Sequence, residues 1–168
     1  MNRLALNAVL AAALVATSPA TFAHADKHDD MKPAKARAVS TEEHSFGRQG
    51  DPRKVSRTVT VDMSDAMRFS PSEVRVKQGE TIRFVAKNGG KVMHEMVLGN
   101  LAELKAHGEL MKKFPNMEHD EPYMAHVPPG KTQEIVWTFT KAGEFHFGCL
   151  LPGHLEAGMI GRVVVAAN

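Results

Sequence analysis

One short stretch narrows the possible fold more than any other: Phe145-His146-Phe147-Gly148-Cys149-Leu150-Leu151-Pro152-Gly153-His154-Leu155-Glu156-Ala157-Gly158-Met159. Phe145, Phe147 and Cys149 alternate with His146 and Gly148, and successive side chains of a strand point to opposite faces, so a strand here carries the thiol into a core. A Val-rich run from Ile160 to Ala167 begins directly after Met159 and reads as a last strand. What lies between is therefore a loop pinned at both ends. Pro152 limits its freedom, and Gly153 and Gly158 permit tight turns beside His154 and Met159.

Upstream the same period-two texture recurs. Val59 and Val61 alternate with Thr58, Thr60 and Asp62; Val74 and Val76 make a second short strand; and Thr81 to Lys87 sets Ile82, Phe84 and Ala86 on one face. After the Asn88-Gly89-Gly90 turn signal, Val92, His94, Met96 and Leu98 share one side of a strand. Asn100 to Phe114 breaks the pattern. Asn100 with Glu103 three residues later is a capping box, and Leu101, Leu104, Leu110, Met111 and Phe114 are expected to cover one helical face before Pro115 stops the helix. Asn116 to His126 reads as a loop, Pro128-Pro129-Gly130-Lys131 as a tight turn, and Thr132 to Thr140 as a strand with Ile135, Trp137 and Phe139 on one face. Short strands separated by turn signals and one inserted helix near 100–114 predict an all-β chain folded as an antiparallel β-sandwich.

The N-terminal third reads differently. Leu4 to Val15 is an apolar run after a weakly basic start, and Ala23-His24-Ala25 is a small-x-small cleavage site, so residues 1–25 are expected to be a secretory signal peptide with the mature chain starting near Asp26. The run is too short for a membrane anchor, and no later stretch spans a bilayer. Residues 26–54 are rich in charged and polar side chains and are expected to form a flexible polar arm, with His28, Met31 and His44 solvated along it. Residues 55–168 form the single folded domain. The formal net charge is only +2 and there is no Lys/Arg block, so nothing suggests a nucleic-acid partner.

Export changes how Cys149 reads. One cysteine cannot form an internal disulfide, so a lone thiol outside the cytoplasm is buried and inert, paired with another chain, or bound to metal. His154 and Met159 in the same loop favour metal. Thiolate, imidazole and thioether are the donors that select copper, and a trigonal His₂Cys set with a weak axial Met needs a second imidazole, for which His94 is the best candidate. Zinc would use Cys149, His94 and His154, but structural zinc sites take more thiolates or a fourth strong ligand, and a thioether suits zinc poorly. A nucleophilic cysteine would need a base held by a third group; His154 has no Asn or Asp obviously placed to orient it. The chain is read as no enzyme.

The pattern Cys149-x4-His154-x4-Met159 before a last strand, with His94 after an upstream turn, resembles the cupredoxins, with loop spacing like that of rusticyanin. The stretch Lys91-Val92-Met93-His94-Glu95-Met96-Val97-Leu98-Gly99 is similar to small periplasmic copper-tolerance cupredoxins. The resemblance runs from about Phe46 to the end. It implies a Greek-key sandwich holding one type 1 copper ion on His94, Cys149, His154 and Met159, and a C-terminal histidine reaching the surface in an apolar patch, here Leu150, Leu151, Pro152 and Leu155. Many members of the family carry Asn or Ser after the first histidine, tying the ligand loops together; this chain has Glu95. The multicopper oxidases share the fold type but use clustered His-x-His and His-Cys-His ligands, whereas Cys149 lies between Gly148 and Leu150.

The expected function is that of a periplasmic, monomeric copper protein cycling between Cu(I) and Cu(II), in copper tolerance or as an electron carrier docking briefly on a redox partner. Met111, Met117, His119, Met124 and His126 form a thinner cluster that reads either as packing and loop decoration or as a second Cu(I) site. Met63, Met67, Met93 and Met96 read as packing.

Overall fold

The computed structural model describes residues 38–114 and 119–168. The strands are β1 (Glu43–His44), β2 (Gly47–Gln49), β3 (Arg57–Ser64), β4 (Arg68–Ser70), β5 (Glu73–Lys77), β6 (Thr81–Asn88), β7 (His94–Gly99), β8 (Met124–Val127), β9 (Thr132–Thr138), β10 (Gly143–Gly148) and β11 (Ile160–Ala166), with helix α1 (Leu101–Lys113) after β7. They form a six-stranded sheet in the order β1-β2-β9-β6-β3-β4 and a five-stranded sheet in the order β5-β11-β10-β7-β8. Inward-facing side chains of both meet in one core, with Trp137, Phe84, Phe139, Phe147, Ile82 and Met96 among the fully buried ones. The alternation legible in β3, β5, β6, β9 and β10 is the alternation that builds this core. Among the described residues no helix is long and apolar enough to cross a membrane.

The sandwich is not purely antiparallel. β3 pairs parallel to β6, with Val61 opposite Ala86, and β5 pairs parallel to β11, with Val74 opposite Val163. Parallel neighbours need a crossover rather than a hairpin. The chain supplies it by leaving one sheet for the other between β4 and β5 and returning for β6. Alternation records which face is buried and is silent about the direction of the neighbour, so the sequence pattern could not separate the two arrangements.

Three local expectations are corrected. The polar stretch expected to be a flexible arm to residue 54 forms β1 and β2 at residues 43–49, and its one aromatic apolar side chain, Phe46, is buried. Phe46 stacks on Trp137 at 5.0 Å between ring centroids, and its carbonyl accepts a 3.0 Å hydrogen bond from the indole N–H. A single aromatic anchor is enough to dock a strand pair whose other residues are polar. Second, Met124 and His126 belong to β8, an edge strand paired with β7, and not to a loop. Third, α1 begins with the expected capping box, Asn100 Oδ1 accepting from the Glu103 N–H at 2.9 Å, but only Leu104, Gly108 and Met111 are buried on it. Leu101, Leu110 and Phe114 are exposed; Leu110 and Phe114 lie around the helix from the stripe that faces β7 and β10. Residues 1–37, which include the expected export signal, His28 and Met31, and residues 115–118, which include Met117, lie outside the described residues.

Candidate metal centre

β10 delivers Cys149 as expected. Phe145, Phe147 and Cys149 all enter the main core, and Cys149 is fully buried. Gly161 sits opposite Phe147 on β11, and a side chain there would collide with the Phe147 ring. The strand pair beneath the cysteine can therefore close only around a glycine.

The loop after Cys149 is held by its own backbone. The Cys149 N–H donates to the Met159 carbonyl at 3.1 Å, closing the loop at its base, and the Met159 N–H donates to the His154 carbonyl at 3.0 Å. Inside it the His154 N–H reaches the Leu151 carbonyl at 3.0 Å. Gly153 and Gly158 have φ of +88° and +93°, the left-handed region that glycine adopts without steric cost. Three of the expected donors thus hang on a rigid, hydrogen-bonded turn.

His94, the first residue of β7, is fully buried. One ligand atom each from His94, Cys149 and His154 lie within 4.8 Å of one another. Cys149 Sγ is 3.2 Å from His154 Nδ1, and the His94 and His154 ring centroids are 5.1 Å apart. Met159 is fully buried in the core cluster that contains Cys149. Burial pushes the Cys149 thiol up to about 12, so without metal it is a protonated thiol. Burial, and then the neighbouring His94, lower the His154 pKa.

The decisive atom is His94 Nδ1, which is buried and has no hydrogen-bond partner, while Nε2 of the same ring contacts Asp65 Oδ1 at 3.2 Å. Buried polar atoms are nearly always paired, and an orphan calls for an unseen ligand. A ring with Nε2–H given to a carboxylate has its Nδ1 lone pair free. A metal ion placed here would satisfy that lone pair, the adjacent sulfur and His154 Nδ1 together, and the soft, mixed donor set fits copper.

Glu95, the departure from the family pattern, nevertheless ties the two ligand segments. Its backbone N–H donates to Cys149 Sγ at 3.4 Å, and its side-chain Oε1 accepts from the Leu150 N–H at 2.8 Å. Glu95 is 1% exposed and is charge-balanced by His126 on β8, whose Nδ1 lies 3.1 Å from Oε2 in an ion pair without good hydrogen-bond alignment. The Glu95 carboxylate raises the His126 pKa to about 9, against the opposing effect of burial.

The sequence reading missed Asp65 and the role of His126. Asp65 sits in the β3–β4 turn, where aspartate is common for local reasons, so nothing marked it. In the thinner Met/His cluster, Met111 and Met124 are buried with Val97, Leu104 and Leu150 as packing. His119 Nε2 lies 2.8 Å from His107 Nε2, and the His119 carbonyl lies 3.1 Å from His126 Nε2. His44 is no solvated arm residue: its ring packs 5.1 Å from that of Tyr123. Met63 and Met96 are core, whereas Met93 is 42% exposed. Leu150 is buried in the cluster with Leu104 and Met111 of α1, which leaves Pro152 exposed and Leu151 and Leu155 half-buried in the His154 loop.

The chain is similar to proteins described as copper-resistant cuproprotein CopI: one from Rubrivivax gelatinosus, 51% identical over 162 residues and covering 95% of this chain and 98% of that one, and one from Pseudomonas aeruginosa, 35% identical over 161 residues and covering 79% and 88%. Among solved structures, dithionite-reduced auracyanin from the photosynthetic bacterium Roseiflexus castenholzii superposes with a TM-score of 0.58 at 22% identity, covering 67% of this chain and 98% of that one, which supports the sandwich fold. The family model for copper binding proteins of the plastocyanin/azurin type matches residues 55–166, a span containing all four expected ligands together with the carboxylates that brace them, and the chain belongs to this cupredoxin family.

Proposed function

We propose that His94 and His154 through Nδ1, Cys149 as thiolate and Met159 through its thioether would hold one type 1 copper ion, and that the protein serves copper tolerance in the periplasm. The observation that carries the ligand set is the buried, partnerless Nδ1 of His94 beside a buried thiol and a second imidazole. When bound, copper supplies a one-electron Cu(II)/Cu(I) couple. The protein's part is to hold the ligands still. The loop closed at its base and the Glu95 tie leave these side chains little to rearrange between oxidation states, and a set of two imidazoles, a thiolate and a thioether suits both. Binding must displace the Cys149 proton, which makes metal uptake release acid. Tolerance is the preferred role because the relatives named above carry it in their names. The N-terminal sequence, read as an export signal, supports the periplasm.

A second reading, a monomeric electron carrier, is favoured by exposed Pro152 and part-exposed Leu151 and Leu155 in the loop of the part-exposed His154, and by exposed Val92 and Met93 on the segment leading to His94. Such a patch suits brief docking to a redox partner. Neither reading requires a substrate or a catalytic base. Adding Cu(II) to the purified mature protein should give an intense thiolate-to-copper absorption band that Cys149→Ser abolishes; a wild type without the band refutes the ligand set. A deletion strain that is copper-sensitive with intact respiration supports tolerance, and the opposite phenotype supports the carrier.

A further inference from the structure

We propose that Asp65 is a positioning residue of the metal centre: its carboxylate fixes the His94 ring with Nδ1 as the free donor, and its negative charge makes the ligand set prefer Cu(II) to Cu(I). The inference rests on His94 being a ligand, as argued above.

The geometry gives Asp65 little freedom. Oδ2 accepts from the Lys91 N–H at 2.8 Å, Oδ1 lies 3.4 Å from the Val92 N–H, and the same Oδ1 meets His94 Nε2 at 3.2 Å. One carboxylate in the β3–β4 turn therefore grips the backbone that leads into β7 and the ring at the start of β7. Gly90 completes the arrangement, since a Cβ at that position would collide with Asp65 Oδ1. A surface aspartate with only a turn to cap would not need to be aimed at a ring that is 0% exposed.

Charge separates Asp65 from Glu95. Glu95 has His126 as counter-ion, so the pair adds little net charge beside the metal. Among the described residues no Lys or Arg side chain forms an ion pair with Asp65, whose side-chain contact is the neutral His94 ring. A carboxylate on the far nitrogen of a ligating histidine fixes its tautomer and raises its basicity. A negative charge left uncompensated there stabilises the doubly charged ion more than the singly charged one.

The test compares full-length mature wild type with Asp65→Asn and Asp65→Ala. Cu(II) and Cu(I) affinities are measured separately by chelator competition, together with the visible spectrum of the Cu(II) form and the melting temperature of the metal-free protein. Asp65→Ala removes both the grip and the charge, and its Cu(II) affinity should fall about 10- to 100-fold with a shifted thiolate-to-copper band. Asp65→Asn keeps an acceptor oxygen for His94 but no charge. It should keep the band position and still lose about tenfold in the ratio of Cu(II) to Cu(I) affinity. If Asp65→Ala fails to fold, Asp65→Asn carries the test alone. A ratio unchanged within about twofold in every folded variant, even with a lowered melting temperature, means that Asp65 only caps the turn and overturns the inference. A wild type without the thiolate-to-copper band fails at the earlier step, overturning the ligand set and this inference with it.

Discussion

Replacing Glu95 by Gln should produce a stability change whose size depends on pH in a defined direction. Gln keeps an oxygen to accept from the Leu150 N–H, so the tie between ligand segments survives, but it removes the charge that faces His126. In the folded wild type the His126 pKa is raised from 6.5 to about 9 by Glu95. The folded state binds this proton more tightly than the unfolded chain, so the contribution is fully present below pH 6.5 and is lost as pH rises through about 9. Each tenfold change in proton affinity is worth about 1.4 kcal/mol, which would make the rise about 3 kcal/mol in a dry site. His126 is 34% exposed, and solvent screening reduces this to about 1–2 kcal/mol. Above pH 9 the sign turns: His126 is neutral and the wild type retains a buried carboxylate without a counter-ion, which Gln does not have. Urea unfolding of the metal-free proteins at several pH values between 6 and 10 reads this directly. Glu95→Gln should be less stable than wild type by about 1–2 kcal/mol at pH 6 and equal or more stable at pH 10. A difference that stays constant across the range would show that His126 and Glu95 are not coupled.

Phe46→Ala should cost about 3–5 kcal/mol and red-shift the fluorescence of Trp137, because the stacked ring is what covers that indole; an unchanged melt would mean that β1 and β2 contribute nothing to the core. Gly161→Ala forces the Phe147 ring out of place and should cost about 1–3 kcal/mol in thermal unfolding, with a weakened thiolate-to-copper band because Cys149 is two residues beyond that ring.

The strands that carry the expected donors were legible because they depend on short-range order. Alternation puts Phe145, Phe147 and Cys149 on one face whatever the partner strands do, and Gly153 and Gly158 announce the turns they make. The helix start at Asn100 was legible for the same reason. What escaped depends on contacts between segments far apart in sequence. The parallel pairing of β3 with β6, the docking of Phe46 on Trp137 and the reach of Asp65 to His94 each leave no local mark. Glu95 shows the boundary most clearly. Sequence comparison flags it as unusual, yet only the fold reveals that a carboxylate can take over the tie, because His126 on the neighbouring edge strand neutralises it.

The parallel pairing of β5 with β11 also carries a consequence for the order of events during folding. Glu73 and Arg162, ion-paired across those strands, are 89 positions apart in sequence. Contacts of such separation form late, since the closure entropy of the intervening chain must be met before they reward it. The base of the donor loop closes locally, between Cys149 and Met159 at the ends of the adjacent strands β10 and β11, but the segment that carries His94 joins it only across the 54 positions that separate Glu95 from Cys149. A polypeptide that reaches only as far as His94 therefore carries one of the four expected donors and no chelate. The full set of expected donors is thus a property of the completed fold, and a product truncated before β10 should bind copper more weakly than the intact protein.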